Sequence, residues 1–443
     1  MLTVLANRTY RVLFVAQVVA LTGTGLLTVA LGLLAYSLAG DHAGIVLGTA
    51  LAIKMVAYVG VAPIVAGFAS YLPRRRFLVA MDIVRAAVAL TLPFINEVWH
   101  VYVLIFVLQS ASAAFTPTFQ ATIPDILPKD ADYTRALSLS RVAYDLESLL
   151  SPALAAALLS VISFHWLFAG TVVGFLVSAL LVVSVSIPQP KRSRASEGIY
   201  DKTTRGIRIY LATPRLRGLL ALNLSVAAAG AMVIVNTVVL VKSRLGLTDA
   251  DVAMAMACFG GGSMLAALTV PRLLDRGLKD RSLMIGAAAF LAALLFAMAF
   301  CTAYDLGPLW LAILVVWALM GIGYSMVLTP TGRLLARSAH SEDRPTLYAA
   351  QFALSHACWL LTYPLAGRLG AFESVALPFF VLGLVNLAGV MAAYFLWPAE
   401  DPVALPHVHK DLPANHPHLQ GNGTQHVHAY VIDDLHPRWP AVA

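Results

Sequence analysis

The chain has 443 residues, of which 59% are hydrophobic and 12% charged, with a mean hydropathy of +0.79 and a net charge of +7. That balance excludes an ordinary soluble domain, in which about a quarter of the residues are charged. Only three cysteines occur, Cys258, Cys301 and Cys358, all inside apolar runs, which argues against an extracellular fold stapled by disulfides.

Taken in chain order, twelve apolar runs are long enough to cross a hydrocarbon core about 30 Å thick as helices. Their approximate limits are 11 to 38, 44 to 70, 77 to 96, 100 to 123, 134 to 161, 165 to 187, 218 to 241, 251 to 271, 282 to 303, 308 to 330, 346 to 367 and 376 to 397. No Ala-x-Ala cleavage signal follows the first run, so it is expected to remain as span 1. Threaded in this way, the chain places 22 Lys and Arg residues on one side of the bilayer and only Lys242, Arg244 and Arg368 on the other. Loops rich in Lys and Arg stay in the cytoplasm. The expectation is an all-α protein of a bacterial-type inner membrane, with both termini cytoplasmic and a monomer as its form. The basic pI near 9.3 then reflects orientation in the lipid bilayer, and no nucleic-acid partner is needed to explain it.

The chain divides at its longest internal loop. Residues 1–187 form one six-span bundle, 188–217 a basic linker, 218–397 a second six-span bundle and 398–443 a tail. Within the linker, 196 to 211 predicts a short helix on the membrane surface, with Ile199, Ile207 and Leu211 toward lipid and Lys202, Arg205 and Arg208 toward headgroups, or else a solvated linker helix. A six-plus-six arrangement predicts two pseudo-equivalent bundles that rock about a site at mid-membrane.

Ionisable residues inside spans point to function, because a charge near the bilayer centre costs about 2.5 to 3.5 kcal/mol on insertion scales. Lys54, Asp82, Arg85, Arg141, Asp145 and Glu147 qualify, all in the first half. Lys54 and Glu147 fall near the midplane and are candidates to pair. Asp82 and Arg85, three residues apart and close to the cytoplasmic end of span 3, read as an i,i+3 brace. Arg141 and Asp145 share a helix face while Glu147 projects elsewhere, so one carboxylate is left to bind protons and exchange them for substrate. The alternative is a fully satisfied internal ion-pair cluster.

The second half offers soft and nitrogen ligands: Met254, Met256 and Cys258 in span 8, and His356 with Cys358 in span 11. Such groups suit late first-row metals better than magnesium or calcium, although Met and Cys in an apolar helix also serve simply as packing. After Trp397 the composition changes. The tail holds His407, His409, His416, His418, His426, His428 and His436, six of them as three His-x-His pairs. In an extended backbone, i and i+2 project to one side, so each pair can offer two imidazoles to one metal ion. With six prolines between Pro402 and Pro440, the tail is expected to be disordered.

Several stretches carry a resemblance. Gly67 to Arg76, GFASYLPRRR, resembles the loop 2-3 motif of the major facilitator superfamily, with Arg74, Arg75 and Arg76 as its basic end and Tyr71 where that family usually has Asp. PRLLDRGLKDR after span 8 resembles the second copy, supplying Asp275, Arg276 and Gly277. MDIVRA around Asp82, AFTPTFQATIPDILP from Ala114 and SPALAAALL from Ser151 are similar to siderophore and drug exporters of that superfamily. The stretch GRLLARSAHSEDRPTLYAAQFALSHACWLLTYPLAG from Gly332, together with the His-rich tail, resembles the nickel-resistance branch. The resemblance implies a secondary transporter, not an enzyme, with no tightly bound cofactor, that expels Ni2+, with Co2+ as a second candidate ion, by alternating access, with protons as the coupling partner. A siderophore or drug exporter of the same fold is the alternative, and the aromatic residues Trp310, Trp317, Tyr324 and Trp359 would suit its pocket.

Overall fold

The computed structural model describes residues 2–61, 73–127, 129–188, 199–340, 343–401, 404–408, 425–433 and 435–440. Within them, the side chains of Arg141, Asp145, Asp275, His407, His426 and His428 lie outside the description.

Six helices form the first half: α1 (Arg8–Ala39), α2 (Ala43–Val56, continued by a π-turn over Ala57–Val61), α3 (Arg74–Thr91), α4 (Val98–Ile126), α5 (Asp130–Leu159) and α6 (His165–Val183). A linker helix, α7 (Ile199–Ala212), leads into α8 (Pro214–Val238), α9 (Asp249–Asp275), α10 (Asp280–Ala303), α11 (Leu309–Leu328), the short α12 (Thr331–Ala336), α13 (Arg344–Gly370) and α14 (Ala376–Leu396). By length and composition, nine stretches of the described residues can cross a membrane, and the first of them, Arg8–Val61, contains both α1 and α2. The other two expected spans are α5 and α13, at 30 and 27 residues. Each is about 40 Å or more long at 1.5 Å per residue.

Local signals fix several boundaries. The Asn7 side chain accepts a hydrogen bond from the Tyr10 amide, 3.1 Å, and caps α1. Thr248 and Asp251 form a reciprocal capping box at the start of α9. Pro214 occupies the first turn of α8, where its missing N–H costs nothing.

The two halves repeat one packing scheme. In the first, α1 packs on α6, α3 on α6 and α4, and α1 on α5; in the second, α8 packs on α14, α10 on α14 and α11, and α8 on α13. The halves meet through two reciprocal pairs, α2 with α13 and α5 with α9, which a twofold axis between the bundles would exchange. One end of the bundle carries most of the arginines; the other, holding Lys242, Arg244 and Arg368, is sparse in them. We call these the basic end and the sparse end.

Two expectations are corrected. The linker helix is not free of the bundle: Leu211 is exposed, but Ile209 and Tyr210 are buried, Arg205 pairs with Asp343 at 2.6 Å rather than facing headgroups, and Tyr210 donates to Gln351 at 2.5 Å. Gly206 lets α7 dock so closely on α13 that a Cβ there would lie 2.1 Å from the Thr346 carbonyl oxygen. The tail, expected to lack strand character, contains an antiparallel pair, β1 (Ala404–Val408) with β2 (Gln425–Ala429), in which His407 faces His426. The alternation of His and Val at 426–428 is itself a period of two. Apolar residues flanking the strands, Leu405, Tyr430 and Ile432, join a buried cluster with Leu216, Leu334 and Trp397, which anchors the pair to the second half. His409, His416 and His418 lie outside the described residues.

Candidate functional site

Part-way along α2, α5 and α13, three residues singled out from the sequence come near one another from both halves. Lys54 on α2 and Glu147 on α5 act on each other electrostatically, and Lys54 also acts on His356 of α13. The ammonium of Lys54 lies 5.5 Å from the ring centre of Tyr58, one helical turn further along, a cation–π distance. Tyr58 stacks on Phe352 with ring centres 5.7 Å apart and tilts against His356 at 5.3 Å. His356 packs on Phe352 at 4.0 Å, and its Nδ1 lies 2.6 Å from the Phe352 carbonyl oxygen. That contact assigns Nδ1 as the protonated nitrogen and leaves Nε2 as the one available to a ligand.

Room for Glu147 is made by α1. A Cβ at Gly25 would lie 2.9 Å from Glu147 Oε1 and 2.1 Å from Ser151 Oγ, so only glycine lets α5 bring this carboxylate and hydroxyl against α1. Further along α13, Trp359 stands between Tyr324 and Tyr363, at 6.4 and 4.9 Å. The result is a wall of Tyr58, Phe352, His356, Trp359 and Tyr363 beside one carboxylate and one ammonium. Sequence reasoning picked out the charges and His356 but missed Tyr58, Phe352 and Gly25. The i,i+4 spacing of Lys54 and Tyr58 was the available signal.

Other candidates fall elsewhere. Arg141 and Asp145 lie on α5, with side chains outside the description. Cys358 Sγ points toward the carbonyl oxygens of Leu220 and Leu354, at 3.9 and 3.5 Å. Cys258 is a free, half-buried thiol on α9. Among the described residues, no three His, Cys, Asp or Glu side chains converge to hold a metal ion. Asp82 and Arg85 form the expected brace: they ion-pair, Ser178 Oγ donates to Asp82 at 2.8 Å, and the guanidinium lies 4.3 and 4.5 Å from the Phe115 and Phe175 ring centres.

Gly67 lies outside the described residues. At the basic end of the same motif, Arg74 ion-pairs with Asp125 at the end of α4, Arg75 donates to the Val183 carbonyl, and Arg76 is exposed. In the second copy Arg276 is exposed, and the counterpart of the Arg74–Asp125 clamp is built four residues later: Asp280, opening α10, pairs with Arg333 just beyond α11 at 2.5 Å and with Arg337 at 3.6 Å. Each clamp ties the start of the third span of its half to the end of the fourth, with the charges exchanged.

At the basic end of the second half, Asp401 pairs with Arg215 at 2.8 Å and with Arg337. Trp439 lies under the Arg215 guanidinium, 5.0 Å from its ring centre. Asp433 joins His436 Nδ1 at 2.8 Å and His340 Nε2 at 3.3 Å. Burial pushes the Asp433 carboxyl up, and its bonds to His436 and His340 more than offset this, leaving it below its ordinary value. A carboxyl with a depressed folded value contributes stability above its unfolded value, near 3.9, and loses it as pH falls through the folded one. Docking of residues 425–440 is therefore expected to hold across neutral pH and to weaken only in acid below about pH 4. Asp433→Asn is expected to release the segment at pH 7, read as faster limited proteolysis after Arg438.

Two six-helix halves, with Lys54, Glu147 and an aromatic wall where they meet, are the architecture of a polytopic membrane protein. The chain belongs to the Major Facilitator Superfamily, whose family profile matches residues 13–240 and again 219–421. Among its relatives, it is 24% identical over 364 residues to the multidrug efflux pump Tap of Mycolicibacterium fortuitum, covering 76% of this chain and 87% of that protein. It is 26% identical over 121 residues to macrolide efflux protein A of Enterococcus faecalis, covering 26% of this chain and 37% of that one. An uncharacterized transporter of the superfamily, YfiS of Bacillus subtilis, is 23% identical over 205 residues, covering 45% and 48%. The chain thus spans about half or less of the Bacillus and Enterococcus relatives. Of solved structures, the nucleoside transporter NupG superposes with a TM-score of 0.65 at 12% identity, over 88% of this chain and 98% of that one. A bacterial homolog of the lysosomal transporter Spinster, inward-facing and occupied, superposes with 0.66 at 13% identity, over 88% and 97%. These structural likenesses show the fold, and in sequence the chain is similar to efflux proteins.

Proposed function

We propose that the protein exports bulky, lipophilic organic cations from the cytoplasm in exchange for protons, with Glu147 as the group that alternates between proton and substrate. The observation that carries this reading is the aromatic wall of Tyr58, Phe352, His356 and Trp359 next to Lys54, with Glu147 close enough to act electrostatically on both Lys54 and Tyr58. Carboxylate and ring faces both attract an amine or quaternary nitrogen, and aromatic surface accepts the apolar remainder. Similarity to drug and macrolide efflux proteins supports the same substrate class.

Coupling follows if protonated Glu147 and substrate-loaded Glu147 favour opposite conformations, since a ligand shifts an equilibrium only by its differential affinity for the two states. Lys54 competes with the substrate cation for Glu147 and returns to it when the carrier is empty. The basic end faces the cytoplasm on this reading, as the charge asymmetry of the loops requires. The test is efflux of a lipophilic cationic dye from cells and its uptake into energised everted vesicles. Dye movement that requires the expressed protein and collapses with the pH gradient is the expected result, and absence of protein-dependent movement across a panel of such dyes would end the proposal.

A second reading, export of Ni2+ or Co2+, is favoured by one observation, the register that sets His407 directly opposite His426. Directly opposed positions of an antiparallel pair have Cβ atoms about 5 Å apart on one face, a separation two imidazoles can span to a single ion. In this reading the tail gathers metal at the basic end and His356 receives it. Growth on graded nickel, cobalt and dyes separates the two: a nickel-specific gain with unchanged dye tolerance would replace the first reading by the second.

A further inference from the structure

We propose that the sparse end is closed by a glycine seal between the two halves, and that Asn236 on α8 keeps that seal from becoming permanent. On α2, Gly44 and Gly48 lie one turn apart and both meet Gly367 on α13. A Cβ at Gly48 would lie 2.5 Å from the Tyr363 carbonyl oxygen, and one at Gly367 would lie 2.3 Å from the Gly44 carbonyl oxygen. The two backbones therefore touch with no side chain between them. In lipid, such small-residue faces hold helices by close van der Waals contact, which gives a tight seal with nothing built in to open it.

Asn236 supplies the opposing element. Its Nδ2 donates to the Ala366 carbonyl at 3.1 Å, which fixes the side chain to α13 within its own half. Its Oδ1 has no hydrogen-bond donor, and the residue is only 2% exposed. That oxygen sits where three helices meet, 1.9 Å from the Cβ position of Gly370 and 3.6 Å from that of Gly44. Because α2 belongs to the other half, parting the seal carries Gly44 away and lets water reach the oxygen, while the bond to Ala366 stays intact. A buried acceptor without a donor is disfavoured relative to a hydrated one. Asn236 thus raises the free energy of the sealed state selectively and sets how readily the sparse end opens. The inference uses the alternating-access fold alone and is independent of substrate and of coupling ion.

The test uses Val239, whose Cγ2 lies 3.5 Å from the Cβ position of Gly44, as a reporter. Val239→Cys is placed in a full-length chain otherwise free of cysteine, in nanodiscs with both faces accessible, and its reaction with a bulky hydrophilic maleimide is timed. Asn236→Leu, which keeps the γ-branched shape and removes the unpaired oxygen together with the Nδ2 donor, is expected to slow labelling several-fold. Gly48→Ala, which presses on the Tyr363 carbonyl, is expected to speed it by about tenfold, a shift of some 1.4 kcal/mol in the open–closed equilibrium. The double variant is expected to fall between them. Unchanged or faster labelling in Asn236→Leu, or unchanged labelling in Gly48→Ala, overturns the proposal. If Asn236→Leu fails to assemble, Asn236→Val is read by the same criterion.

Discussion

Glu147→Gln is expected to abolish concentrative efflux while leaving the protein folded and in the membrane. The side chain keeps its size beside Gly25 and Ser151, so packing survives. What is lost is the exchangeable charge, and with it both the counter-charge for Lys54 and the means of linking proton and substrate. Coupling free energies of 1 to 3 kcal/mol correspond to changes of roughly 5- to 150-fold, and accumulation against a gradient is expected to fall by that order. Downhill counterflow of substrate, which needs no proton, is expected to persist at a reduced level. Retention of pH-driven efflux in Glu147→Gln would remove this residue from the coupling step. Lys54→Met is expected to behave differently: with its competitor gone, Glu147 holds a cationic substrate longer, and turnover falls as affinity rises.

Asp82→Ala is expected to produce the largest loss of stability of any single substitution considered. Arg85 is 6% exposed at its side chain, Asp82 is fully buried, and the guanidinium is walled in by Phe115 and Phe175. Removing the carboxylate leaves a buried cation without its counter-charge, at a cost of about 3 to 5 kcal/mol. Replacing both partners by apolar residues of similar size, Asp82→Leu with Arg85→Met, is expected to cost much less, because no charge is left stranded. Thermal unfolding of the purified protein in detergent measures both. Equal losses in the single and double variants would mean that the pair acts through shape alone.

Span number, the six-plus-six division and the Asp82–Arg85 brace were legible in the sequence because each rests on a local rule: run length, loop charge and i,i+3 spacing. Lys54 and Glu147 stood out because a charge within an apolar run is costly wherever the run packs. What the sequence could not show was which partners tertiary packing would supply. Nothing local says that Gly25 on α1 makes room for Glu147, or that Phe352 on α13 meets Tyr58 from the other half. His356 and Cys358 are each candidate ligands by residue type, and what the sequence did not show is their surroundings: two steps of an α-helix turn about 200°, and they meet different neighbours. The tail was misread because its prolines outweighed the alternation at 426–428, and because the apolar residues that hold it down, Tyr430 and Ile432, find their partners some two hundred residues upstream at Leu216. Asn236 was passed over because an amide in a span carries no charge to draw notice.

The appendages are unevenly distributed. The linker helix α7, the short α12 and the docked strands all rest on the second half, on α13, Arg215, Arg337 and His340, and the chain passes from one half to the other once, ahead of Ile199. On the proposed exchange cycle, this freight travels with the second half as one body, while the first swings unladen. A reporter fused behind residue 440 would therefore register the position of one half and be blind to the other, and a distance probe intended to follow the cycle needs its second mark on the first six spans.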